Sequence, residues 1–340
     1  MTQAINTDRW SEHYRRKLVD HTAQRVLITD FRGSGQEADL SEPVNCGGFG
    51  RIRHFQQETS PHWPANPLPV VPAARALGIA TPPMMRSQVF QLAGCNWRCW
   101  YCFVPFSLLS ANPQHAAWWS PTALVDAYLA DPAPPPMIDL TGGQPDLVPE
   151  WVVWMMQEFQ QRGLERHVYL WSDDNLSTDY FWRFLSPAQQ ALVAGYPNYG
   201  RVCCFKGFDA ESFAFNTHAA PALFDRQFVL MQQLLNLGLD LYAYTTFTTP
   251  KPDGIADAMA RFVDRLQSLD PNLPLRTVPL EIQVFTPVAG RMNPATEAAL
   301  RYQWLAIDCW QRELEQRYSG TARTQSIVDV PLQTRRPAGV

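Results

Sequence analysis

No run of the 340-residue sequence approaches the ~20 consecutive apolar residues needed to span a bilayer, so a membrane-spanning helix is not expected. A basic surplus is also lacking. The chain has 28 Lys and Arg against 32 Asp and Glu, a net charge of −4, which argues against a duplex nucleic acid as main substrate. The opening MTQAINTDRWSEHYRRKLVD is polar and mixed in charge and does not read as a secretory signal. Internal repeats and low-complexity tracts are absent, and the seven histidines are scattered without ligand spacing. What remains is an ordinary globular composition, 46 % hydrophobic and 18 % charged. The length suits one large α/β domain with an extension, or two modest domains.

Periodicity divides the chain into an N-terminal extension over 1–84, a core over 85–290, and a C-terminal helix and tail over 291–340. In the extension, 11–27 reads as a helix, 45–50 as a Gly-rich turn, and the proline-dense 61–83 as irregular chain. The core alternates short strands with helices. Strands are expected over 86–92, 137–140, 167–171, 201–206, 239–247 and 280–285. Helices are expected from Ser120-Pro121 to about 130, then over 149–162, 221–237 and 255–269, with a last one over 296–318. Six strands with intervening helices imply a parallel sheet with right-handed crossovers. The span falls short of the ~250 residues of a full eight-fold barrel. A partial barrel or an open doubly wound sheet is therefore expected.

Seven cysteines is an odd count, and three of them, Cys95, Cys99 and Cys102, crowd together directly after the first core strand. That pattern fits metal ligation in a reducing cytoplasm better than a disulfide framework. Thiolates are the preferred ligands of iron–sulfur clusters and of zinc. Structural zinc normally closes its tetrahedron with a fourth Cys or His. No such partner motif exists here: Cys203 and Cys204 are adjacent on a strand and read as packing residues, while Cys46 and Cys309 are isolated. Three cysteines would leave one iron of a cluster open to a cosubstrate; zinc remains the alternative on spacing alone.

The cysteine spacing C-x3-C-x2-C, with Tyr101 just before the last cysteine, resembles the cluster loop of the radical-SAM superfamily. Thr141-Gly142-Gly143-Gln144-Pro145, at the end of the second core strand, is similar to the family's Gly-Gly-Glu-Pro segment, with Gln144 in place of glutamate. The resemblance spans about 85–290 and lies nearest the pyruvate formate-lyase activating-enzyme branch, whose Lys-Gly segment Lys206-Gly207 is similar to. It implies a partial (β/α)6 TIM-type barrel and one [4Fe–4S] cluster on Cys95, Cys99 and Cys102. It also implies that S-adenosylmethionine is cleaved to a 5′-deoxyadenosyl radical, with an electron from a flavodoxin- or ferredoxin-type donor. Gly142, Gly143, Gln144 and Pro145 would then hold the cosubstrate's amino group, and Tyr101 would line its site. Asp173 and Asp174 would meet the ribose, or else serve as a helix N-cap. Lys206 would meet the carboxylate, or else be a surface lysine. Trp97 and Trp100 flank the cluster loop and would shield it. The substrate is expected to be a small molecule or peptide. Alternatives are a glycyl-radical-enzyme activase acting on a protein loop, and a zinc-stabilised binding module without catalysis. Arg51-Ile52-Arg53-His54 reads as a solvated basic strand, with contact to an anionic substrate as the other reading.

Overall fold

The computed structural model describes residues 4–333. Its strands are β1 (Val19–Asp20), β2 (Arg25–Thr29), β3 (Arg51–Gln56), β4 (Met84–Phe90), β5 (Ala116–Trp119), β6 (Met137–Leu140), β7 (Tyr169–Asp174), β8 (Tyr199–Phe205), β9 (Leu241–Thr246) and β10 (Thr277–Leu280). The helices are α1 (Thr7–Leu18), α2 (Val70–Leu77), α3 (Pro121–Leu129), α4 (Glu150–Gln161), α5 (Tyr180–Phe184) and α6 (Pro187–Gly195). They continue with α7 (Ala210–Thr217), α8 (Leu223–Asn236), α9 (Ile255–Leu269), α10 (Thr286–Ala289), α11 (Pro294–Arg317) and α12 (Gly320–Thr324). No helix among the described residues is long and apolar enough to cross a membrane.

Seven strands form one curled sheet in the order β10–β9–β8–β7–β6–β4–β3. All neighbours from β4 to β10 are parallel, and β3 runs antiparallel along the β4 edge. The fold is thus α/β, a partial TIM-type barrel, one of the two architectures that the strand–helix alternation allows and the one that the family resemblance implies. Strand alternation sends side chains to two faces. Ile138, Leu140, Leu170, Phe205, Leu241 and Ala243 point outward and join the core beneath the helices. Met137, Tyr169, Trp171, Val202, Tyr242 and Val278 point inward. All of these side chains are buried, and each removes apolar surface from water at roughly 25 cal/mol per Å².

Elements β5, α5, α6, α7, α10 and α12 fall where no element is expected, and three of the expected stretches differ in form. The first helix stops at Leu18, because β-branched Val19, Val26, Ile28 and Thr29 favour a hairpin, whose turn Asp20 closes by accepting from the Ala23 N–H at 3.0 Å. Within 61–83, Val70–Leu77 is helical. Pro72 falls in its first turn, where a missing N–H is tolerated, and Gly78 ends it in the left-handed region at φ +66°. This α2 packs Val70, Ala73 and Ala74 against the inner face and fills the lumen at the N-terminal ends of the strands. Finally, the last strand begins at Thr277 and ends at Leu280, several residues earlier than expected. It lies on the sheet edge, where Pro279 is tolerated.

Candidate functional site

The C-terminal ends of β4, β6, β7, β8 and β9 converge on one mouth, and the expected site residues lie there. The cysteine loop follows β4 and is fixed by bonds that do not use its thiols. The Arg98 guanidinium donates to the carbonyls of Cys95 at 2.7 Å and Trp97 at 2.9 Å, and to the Tyr14 hydroxyl at 2.7 Å. Arg291, beyond β10, donates to the carbonyls of Cys102 at 2.6 Å and Val104 at 2.9 Å. Trp97 and Trp100 are buried and donate their indole N–H groups to Thr7 and Asn216 at 2.9 and 3.0 Å. Two cations thus clasp the loop. Arg98 lies within the cysteine motif itself, whereas Arg291 carries no local sequence signal of its role.

Burial pushes all three thiols up, Cys99 to about 12, while Lys206 lies within electrostatic reach of each and pulls it down. Among the described residues, no group of three or more His, Cys, Asp or Glu side chains is spaced to hold a single metal ion. Tetrahedral zinc requires thiolates converging at about 2.3 Å from one point. A four-iron cluster instead takes each cysteine on its own iron. Three thiols are a donor set that a thiolate-bound cluster takes, and Arg98, Arg291 and Lys206 within electrostatic reach would offset its charge.

The glycine segment touches this loop directly. The Gln144 N–H donates to the Gly94 carbonyl at 2.9 Å, one residue before Cys95. Gly143 has φ +66°, and a β-carbon there would collide with the carbonyl oxygens of Leu92 and Gly94. Gly142, at φ +75°, is closed to a side chain by Gln91. Both glycines are half-exposed at the mouth, whereas Gln144 and Pro145 are buried behind them.

The Gln144 amide is spent inside the fold. Its Nε2 donates to Asp174 Oδ1 at 2.8 Å, and its Oε1 accepts from the Asn175 N–H at 3.0 Å. Asp174 also accepts from Arg201 at 2.7 Å, and Arg201, 1 % exposed, pairs with Asp146 as well. The structure therefore separates the two aspartates: Asp174 faces the outer core, and Asp173 faces the lumen. Asp173 accepts from the Thr141 hydroxyl and feels the charge of Lys206; burial raises its pKa. This arrangement also accounts for glutamine at 144, since a carboxylate there would stand against the Asp174 carboxylate. Gln144→Glu is expected to lower stability by about 1–3 kcal/mol at neutral pH, read by urea unfolding. An unchanged midpoint would show that the amide bond to Asp174 is dispensable.

Lys206 is half-buried at the end of β8, with its charge favoured by Cys204, Tyr101, Cys99 and Asp173 around it. The Tyr101 hydroxyl bonds Thr246 at 3.0 Å, tying the cysteine loop to β9 across the mouth. Cys203 packs in the outer core and Cys204 on the inner face, as adjacent strand residues must. The largest departure from expectation is Arg51. Rather than lying on a solvated strand, it is 5 % exposed, and its guanidinium stands 5.9 and 5.4 Å from the ring centres of Phe31 and Phe103. Asp139, on β6, faces the same lumen at 1 % exposure.

No family model matches the sequence, and no curated protein does. Among solved structures, the chain is similar to Streptococcus suis SuiB bound to S-adenosylmethionine, at 14 % identity and TM-score 0.39, covering 65 % of this chain and 46 % of that one. It is similar also to Streptococcus suis SuiB bound to precursor peptide SuiA, at 13 % identity and TM-score 0.41, covering 66 % and 46 %. The chain thus matches less than half the length of these structures.

Proposed function

We propose that this chain is a radical-SAM enzyme acting on a small molecule or peptide. The observation that carries the reading is the Gln144 N–H to Gly94 carbonyl bond, which joins two motifs distant in sequence into one wall. In this reading Cys95, Cys99 and Cys102 hold a [4Fe–4S] cluster. The backbone carbonyls of Gly142 and Gly143 accept from the ammonium of S-adenosylmethionine, and Asp173 meets its ribose. Lys206 offers its ammonium to the cosubstrate carboxylate from the end of β8. When bound, cluster and cosubstrate supply one-electron reductive cleavage to methionine and a 5′-deoxyadenosyl radical that takes a substrate hydrogen.

The chain's own residues orient and shield. Gln144, Asp174 and Arg201 hold the glycine turn from behind, so the positions of its carbonyls are set before any ligand arrives. Buried Trp97 and Trp100 back the cysteine loop and keep water from its inner side. Tyr101, bonded to Thr246, braces the mouth between β4 and β9.

The test is anaerobic reconstitution of the full chain. About four iron and four sulfide per chain are expected, with 5′-deoxyadenosine formed from S-adenosylmethionine and dithionite. One zinc per chain with no such product would overturn the reading.

A further inference from the structure

We propose that the inner face of the half-barrel recognises a small zwitterion of the amino-acid class, its carboxylate on Arg51 and its ammonium on Asp139. The proposal deepens the function above and rests on it for the ligand's fate, though not for its binding.

Register places the two groups. Val89 of β4 pairs with Arg51 on one side and with Asp139 on the other, so all three share one row and one face of the sheet. Both charged side chains are buried, yet they are poorly satisfied. Neither carboxylate oxygen of Asp139 has a hydrogen-bond partner among the described residues, and neither do Nε and Nη2 of Arg51. Native folds leave few buried polar atoms without partners, and each instance calls for a physical reason. Here a cation and an anion within electrostatic reach of each other stand in the same row, each with hydrogen-bonding atoms unfilled, so one molecule with complementary charged ends satisfies both.

The surroundings sharpen the class. Phe31 and Phe103 stand beside the Arg51 guanidinium, whose planar fork suits a planar carboxylate. Phe103 directly follows Cys102, so the anionic end of the ligand lies beside the cysteine loop. Arg53, on the same face two residues on, and Asp173 at the mouth add one charge of each sign. Burial pushes the Arg51 guanidinium down to about 9 and the Asp139 carboxyl up, both in the direction that a bound counter-charge reverses.

The experiment uses the full-length, cluster-reconstituted protein and isothermal titration calorimetry. The probes are the twenty free α-amino acids, then the N-acetyl and C-amide forms of the best binder, its dipeptides, and O-phosphoethanolamine. At least one free amino acid or dipeptide is expected to bind, with either cap weakening it about ten- to hundredfold. Asp139→Asn should make free and N-acetylated forms bind alike, and Arg51→Gln should do the same for free and amidated forms. Iron content and S-adenosylmethionine affinity should stay unchanged in both. The double variant removes both buried charges and controls for folding, with an unliganded melting temperature at or above the parent's.

Absence of any amino-acid or dipeptide binding, or binding indifferent to both caps, overturns the proposal. Tighter binding of O-phosphoethanolamine overturns the carboxylate assignment. An equal loss of S-adenosylmethionine affinity in both variants assigns the pair to the cosubstrate and also overturns it. Cap-sensitive binding without 5′-deoxyadenosine formation supports the recognition site while removing the radical-SAM reading, so the two failures are distinguishable.

Discussion

Replacing Cys99 by alanine is expected to reduce reconstituted iron from about four per chain to below about one, and to abolish 5′-deoxyadenosine formation. Cys99 is the middle cysteine of the loop, and its thiol interacts electrostatically with Cys95, Cys102 and Lys206. With two thiols left, a cubane cluster would have two of its irons without protein ligands. The fold should survive, because the loop is held by Arg98, Arg291, Trp97 and Trp100 rather than by sulfur. The metal-free variant should therefore melt close to the metal-free parent. Cys46→Ala is the control: its half-buried thiol, pushed up to about 12 by burial, lies in the turn before β3, and its loss should leave iron unchanged. Full iron loading of Cys99→Ala would contradict the ligand assignment outright.

Arg201→Leu is expected to cost about 3–5 kcal/mol of folding stability, the range for breaking a buried pair by removing one partner. Arg201 serves two carboxylates at once, Asp146 and Asp174, and all three are buried. Leucine fills much of the volume but leaves two anions facing each other without a cation. Asp174 in turn holds the Gln144 amide and the Leu176 N–H at 2.8 Å each. The damage should therefore reach the glycine turn, and cosubstrate binding should weaken even under conditions where the variant is folded. Urea unfolding and equilibrium binding of S-adenosylmethionine measure the two effects separately. A variant as stable as the parent would mean that the three buried charges are individually expendable.

Much of this site was legible in the sequence because its parts sit at strand ends with local signatures. The cysteine loop, the Thr-Gly-Gly turn, the aspartates after Trp171 and Lys206 all close expected strands, and the parallel topology brings strand ends together. What was not legible depends on partners remote in the chain. Which aspartate faces inward is decided by strand register, which local pattern does not specify. Arg51 reads as solvent-facing because polar residues on an edge strand usually are. It turns inward here because β3 adds antiparallel to β4, a pairing invisible before the sheet is assembled. Arg291 acts through backbone carbonyls, a contact that leaves no residue pattern in the loop it clasps. The helix Val70–Leu77 was masked by its prolines, although Pro72 sits where helices accept one.

That short helix makes the barrel one-ended. With Val70, Ala73 and Ala74 of α2 packed on the inner face beside Tyr169 and Tyr242, protein closes the N-terminal ends of the strands, and Arg51, Asp139 and Asp173 lie toward the opposite end. The inner face is thereby divided by polarity, an apolar floor sealed by the helix beneath a charged rim.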